Sequence, residues 1–172
     1  MIRNDIFTTP LWRIEGAPQQ LVDELYQGAY KFKEKYPSET KSNEGGYQSP
    51  PFSWEDFHPQ GILYINSIIG DIIGKFKVTG WWYNINGKGH WNTPHTHPDS
   101  DVALVLYLTD SDGLLYLMSP FPQRRIDKHG DYISVKAKKG DIVMFPSDIN
   151  HYVKPNQKDT DRVSISMNLQ LC

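Results

Sequence analysis

The stretch Gly89-His90-Trp91-Asn92-Thr93-Pro94-His95-Thr96-His97-Pro98 decides how the rest of the chain is read. His95 and His97 stand one residue apart, and extended backbone sends residues i and i+2 to the same face, so both imidazoles can converge on a single ion. In a chain with 6 histidines such a pair is a weak signal by itself, and the neighbouring sequence has to decide it.

On both sides of this stretch, from Lys77 onward, short β-rich runs alternate with turn signals every eight to twelve residues. The runs are Val78–Ile85, Trp91–Thr96, Asp101–Leu108, Leu114–Met118, Tyr132–Val135, Asp141–Phe145, Tyr152–Val153 and Val163–Leu171. Breaks such as Asn86-Gly87-Lys88-Gly89 and His129-Gly130-Asp131 separate them. That spacing predicts a sandwich or barrel.

Upstream the texture differs. Leu11-Trp12-Arg13-Ile14 alternates as a short strand would, and Gln19 to about Tyr36 has the mixed three- and four-residue apolar spacing of an amphipathic helix that Pro37 ends. Between about His58 and Lys75, seven isoleucine and leucine residues fall at helical spacing and predict a second helix, with a strand as the competitor because isoleucine is a weak helix former. Ser38 to Phe52, centred on Gly45-Gly46-Tyr47-Gln48-Ser49, is too punctuated for regular structure and reads as a long loop, either a lid or site wall or a packed surface loop. The layout is an α+β fold: a helical part, about 1–77, packed on a β core, about 78–172.

A length of 172 residues suits one domain with its own core. With 38% hydrophobic and 22% charged residues, and no apolar run of membrane-spanning length, the chain reads as globular rather than membrane-embedded. Met1 to Ile6 lacks the basic-then-apolar design of a secretory leader, and Cys172 is the single cysteine, so a reducing cytoplasm is expected. A net charge of -2, with only short basic clusters (Arg124-Arg125 and Lys136 to Lys139), argues against nucleic acid as a partner.

A metal held by two imidazoles of one strand needs a further protein ligand from elsewhere in the fold. His151 is the candidate, because a glycine turn at Gly140, an apolar strand and the loop Pro146-Ser147-Asp148-Ile149-Asn150 deliver it. His58, His90 and His129 lie in apparent turns and read as exposed and unliganded. No nucleophile constellation or phosphate loop is present.

The ordered set of Pro94-His95-Thr96-His97, Leu106-Tyr107-Leu108, Gly140 to Phe145, His151 and Arg162-Val163-Ser164 resembles the double-stranded β-helix (jelly-roll, cupin-like) of the 2-oxoglutarate and iron(II)-dependent oxygenases. Trp82 to Pro98, Phe145-Pro146-Ser147, Arg162 to Asn168 and the Gly45-to-Ser49 segment resemble, more narrowly, a family of small oxygenases of phage and marine bacteria. The resemblance implies iron(II), 2-oxoglutarate, dioxygen and a second substrate that the sequence does not name, in the cytoplasm of a host if the chain is phage-encoded. By similarity to prolyl hydroxylases, the Pro94-His95 step marks His95 as the first metal ligand and His151 as the last. His97 then occupies the place where the family has a carboxylate. A second register, His97, Asp99 and His151, restores a His-x-Asp pair but puts Pro98 inside it. The Pro94-His95 match favours His95, His97 and His151, with Asp99 and Asp101 as solvated acids or partners of the imidazoles.

Arg162 and Ser164 share a strand face and are similar to the oxygenase clamp for the 2-oxoglutarate carboxylate, a pairing that suits the planar guanidinium fork. Tyr107 resembles a tyrosine contacting the same carboxylate. For Arg162 the competing reading is a surface ion pair with Asp159 or Asp161; for Tyr107 it is a core aromatic. Asn84 or Tyr83 is a weaker candidate for the co-substrate's metal-binding end, Trp81-Trp82-Tyr83 reads chiefly as core packing, and Gln48 and Ser49 are candidates to face the substrate. The rival reading is a cupin-like metalloprotein without 2-oxoglutarate, with Asp101 in place of the customary glutamate and Arg162 structural. A non-catalytic β-sandwich comes last.

Overall fold

The computed structural model describes residues 8–110, 114–120 and 131–172. His129 and the Arg124-Arg125 pair lie outside them, as does most of the Ser119–Gly130 loop. Both expected helices form: α1 spans Gln19–Lys35 and α2 spans Pro59–Ile73. In α2 the weak propensity of isoleucine is overridden by tertiary burial, since Ile65 and Ile69 are completely buried. Each such side chain contributes roughly 1.5–3 kcal/mol on leaving water. Pro59 is preset for the first helical turn, and Gly74, at φ +78°, ends the helix in a conformation that other residues resist.

The strands are β1 (Trp12–Ile14), β2 (Asn43–Glu44), β3 (Tyr47–Gln48), β4 (Phe76–Asn86), β5 (Trp91–His95), β6 (Val102–Tyr107), β7 (Leu115–Met118), β8 (Tyr132–Val135), β9 (Ile142–Pro146), β10 (His151–Val153) and β11 (Arg162–Leu171). They make a six-stranded sheet in the order β1-β9-β6-β11-β4-β3 and a five-stranded sheet in the order β2-β5-β10-β7-β8. All pairings are antiparallel. From β4 onward the chain passes between the two sheets, and the first strand of this core, β4, pairs with the last, β11. That is the winding of a double-stranded β-helix, with the helices on one sheet as expected.

The segment 38–52 departs from the expectation of a structureless loop. β2 joins the edge of the small sheet beside β5, and β3 joins the edge of the large sheet beside β4. Gly45, at φ +75°, makes the turn between them. Two-residue strands carry no readable period, which is why the sequence does not announce them.

Alternation sorts the large sheet into two faces. Trp81, Tyr83 and Ile85, with Val163, Ile165 and Met167, point to the helices and form the main core. Phe32, Phe52, Phe57, Trp81 and Tyr83 interlock there at centroid distances of 4.6 to 5.7 Å. α1 approaches the sheet closely at Gly28, where an added Cβ would come within 2.8 Å of the Tyr83 hydroxyl. The opposite face looks into the space between the sheets, where Phe145, Val143, Leu115 and Leu117 close a second, smaller core.

Candidate metal and co-substrate site

β5 and β10 are neighbours, and their register sets His95 directly opposite His151. His97 lies just past β5, where its backbone N–H donates to the Ser147 carbonyl at 2.9 Å. Ser147 is tied in turn to Ser100 through its hydroxyl. The ligand atoms of His95, His97 and His151 all lie within 4.8 Å of one another, the one such group of histidine, cysteine or acidic side chains among the described residues.

The rings are oriented by their own backbone. His95 Nδ1–H donates to the Thr93 carbonyl at 2.7 Å and His151 Nδ1–H to the Ile149 carbonyl at 2.9 Å. Both Nε2 atoms are thereby left as lone-pair donors, the tautomer a metal requires. His97 Nε2 lies 3.3 Å from His151 Nε2. Burial lowers all three pKa values: that of His95 falls, that of His97 drops to about 4 and that of His151 to about 3, the last two lowered further by the neighbouring histidines. Three neutral imidazoles sharing one point fit a divalent cation.

Asp99 stands outside this group, exposed on a turn at φ +68°. Asp101 turns away to accept the Leu171 N–H at 2.8 Å. His58 is exposed and contacts Glu24 at 3.1 Å, whereas His90 is half-buried rather than exposed because its Nδ1 accepts the Gly87 N–H.

One cavity between the sheets is lined by His95, His97 and His151 at one part and by Tyr107, Arg162 and Ser164 at another. Antiparallel register explains the second group. Gln48, Asn84, Ser164 and Tyr107 form one row across β3, β4, β11 and β6, and the next row pairs Asn86 with Arg162. Arg162 is buried at 5% exposure, with Nη1 donating to the Lys154 carbonyl at 3.0 Å. The two acids offered as its surface partners are engaged elsewhere, Asp159 with Lys88 and Asp161 with the Tyr30 hydroxyl. Tyr107 is pushed up to about 12 by burial, against the opposing pull of Arg162, so its hydroxyl stays a donor. Among the described residues the cavity lining contains no aspartate or glutamate. A fixed cation, neutral hydroxyls and a cation-binding imidazole cluster in one space fit a small dicarboxylate that also chelates a metal.

Other candidates sort by strand face. Asn84 lines the cavity, while Tyr83 packs toward the helices. Trp82, read from sequence as core packing, is only half-buried and has its ring 5.6 Å from that of His97. Gln48 faces the site region, but Ser49 does not: its hydroxyl accepts the Tyr83 N–H and donates to the Pro50 carbonyl, fastening the segment to β4. Sequence reasoning missed Asn86 and Asn92, which line the cavity and bond to each other at 3.0 Å, with Asn92 continuing to Ser42. The signal for Asn86 was its alternation with Asn84 after the aromatic run Trp81-Trp82-Tyr83; Asn92, on β5, had none.

A family model described as "Putative 2OG-Fe(II) oxygenase" matches residues 80–168, which span β4 to β11. Among solved structures, a prolyl-4-hydroxylase from Pseudomonas putida is similar at 18% identity and a TM-score of 0.65, over 96% of this chain and 94% of that one. HygX from Streptomyces hygroscopicus, solved with nickel and 2-oxoglutarate, is similar at 11% identity and a TM-score of 0.69, over 95% and 84%. The viral collagen prolyl hydroxylase of Paramecium Bursaria Chlorella virus-1, solved with 2-oxoglutarate, is similar at 16% identity and a TM-score of 0.61, over 94% and 96%. No curated protein matches the chain by sequence. The matched core, carrying the imidazole cluster and the buried arginine in one cavity, places the chain in the 2-oxoglutarate and iron(II)-dependent oxygenase family.

Proposed function

We propose that residues 1–172 form one oxygenase domain in which His95, His97 and His151 hold iron(II) while Arg162, Ser164 and Tyr107 hold the distal carboxylate of 2-oxoglutarate. When bound, iron and 2-oxoglutarate supply the oxidising chemistry: dioxygen and 2-oxoglutarate become succinate and carbon dioxide as one oxygen atom enters a second substrate. The protein's part is to bind, orient and exclude water. Thr93 and Ile149 fix the two imidazole tautomers. Lys154 orients the Arg162 guanidinium through its carbonyl, and Asn84 and Asn86 offer further polar contacts along the cavity. No described helix is long and apolar enough to cross a membrane, and we assign the domain to the cytoplasm on its lone, exposed cysteine.

The observation that carries this reading is the single cavity shared by all six residues. Anaerobic addition of iron(II) and then 2-oxoglutarate to the purified protein tests it. A visible metal-to-ligand charge-transfer band of a chelated 2-oxo acid is the expected result. A wild-type protein that forms no such band overturns the reading.

A further inference from the structure

β8 closes one edge of the small sheet and, at four residues, is the longest edge strand among the described residues; β1 has three, and β2 and β3 two each. Register tells which of its main-chain groups are spare. On β7 the Met118 N–H donates to the Asn150 carbonyl at 2.8 Å, and the Leu114 carbonyl accepts the Lys154 N–H at 3.2 Å, so Leu114, Tyr116 and Met118 direct their backbone groups to the β10 side. Leu115, Leu117 and Ser119 then turn theirs to β8, in keeping with the 2.8 Å bond from the Ser119 N–H to the Asp131 carbonyl. Tyr132 and Ser134, opposite Met118 and Tyr116, are left with N–H and C=O directed to the other side, where no described strand lies.

The side chains along this edge are apolar and basic. Tyr132, Ile133 and Met118 are three of the seven large hydrophobic residues that stand exposed among the described residues, so exposure is concentrated here. Ile133 lies opposite Leu117 on the inward face, whereas Tyr132 belongs to the outer face with Tyr116 and Tyr152, the ring centroids 5.0 and 4.9 Å from that of Tyr116. Lys154 Nζ stands 4.5 Å from the Tyr116 centroid, and Lys136 and Lys138 follow the strand; all three lysines are exposed. The acid nearest in sequence, Asp131, is at the strand's start. Lysines along an edge repel a second copy of the same edge. They attract a strand of opposite charge.

We propose that β8 docks an extended acidic segment of a partner protein, which adds to the small sheet as an antiparallel strand hydrogen-bonded to Tyr132 and Ser134. Alternation sets its pattern: every second side chain falls on the outer face with Lys136 and Lys154 and is acidic, and those between fall beside Ile133 and are β-branched and apolar. The surface is separate from the iron cavity, because His151 faces inward from β10 and its neighbour Tyr152 outward. It does not depend on the oxygenase reading.

The nitrogen-15-labelled protein is titrated with an acetylated, amidated hexapeptide alternating glutamate and valine, and separately with its lysine and valine counterpart. The acidic peptide is expected to bind about tenfold or more tightly than the basic one at low salt, with the gap narrowing as salt rises. It is also expected to slow hydrogen exchange at the Tyr132 and Ser134 amides. Ser134→Pro removes an N–H that the pairing with β7 does not use, so its circular dichroism should match wild type while affinity for the acidic peptide falls about fivefold or more. Lys136→Glu, an exchange on the surface, is expected to weaken the acidic peptide about two- to fivefold and to strengthen the basic one. Absence of binding by the acidic peptide, equal affinity for the two peptides, or an affinity that survives either substitution overturns the proposal. So does a concentration-dependent dimer of wild type that Ser134→Pro abolishes, because the edge then belongs to a second copy of the chain.

Discussion

The two faces of the large sheet are made by alternate residues of the same strands, yet they follow opposite rules. The helix-facing side is apolar and close-packed, with Trp81, Ile165 and Met167 almost completely buried. The inward side carries Trp82, Asn84, Asn86, Arg162, Ser164 and Ser166 along one cavity. Burying so many polar groups costs stability unless each has a partner, and here the partners include Asn84 with Ser166 and Asn86 with Asn92. One face therefore holds the sheet in shape and the other spends that rigidity on a preorganised site. Substitutions on the two faces should separate stability from ligand binding.

The sharpest break comes at the histidine cluster. His151→Ala leaves two imidazoles and is expected to abolish the charge-transfer band, with secondary structure measured by circular dichroism retained. On the helix-facing side, Trp81→Ala empties the aromatic cluster and removes the 2.7 Å bond from its indole N–H to the Ser53 carbonyl. The expected cost is roughly 3–5 kcal/mol, or a fall of about 6–20 °C in thermal midpoint, with 2-oxoglutarate affinity of the folded protein unchanged. Arg162→Ala reverses that pattern: 2-oxoglutarate affinity, measured by titrating the band, falls by roughly 30-fold or more, since losing one side of a buried charge pair costs at least about 2 kcal/mol. Ser164→Ala removes one hydrogen bond and is expected to weaken 2-oxoglutarate by about two- to tenfold. Asp99→Asn, which tolerates the same positive φ, is expected to change iron affinity by less than about twofold; a larger loss would restore the register that uses Asp99.

The parts of this comparison that sequence could reach are those with a period. Strand limits from β4 to β11 follow from alternation and turn residues, and α2 is legible despite its isoleucines because its apolar stripe has helical spacing. His95 and His97 announce themselves by adjacency. His151 and Arg162 are legible through their order in the chain, and the burial of Arg162 follows from its place at the start of an apolar strand. What escaped depends on neighbours distant in sequence. β2 and β3 are strands only because the edges of β5 and β4 accept them. Asn86 and Asn92 acquire meaning only when register places Asn86 beside Arg162. Ser49 and Gln48 are adjacent, and only the pleat tells which one faces the site region.

That none of the described residues lining the cavity is acidic has a thermodynamic consequence. In the proposed site a dication would share the cavity with Arg162, none of the described lining residues carries a carboxylate, and the dianionic co-substrate would be the group that offsets the charge. Each ligand then raises the affinity for the other by the same factor, as reciprocal linkage demands. Metal retention in the proposed site would then depend on co-substrate supply, weaker without 2-oxoglutarate and firmer with it.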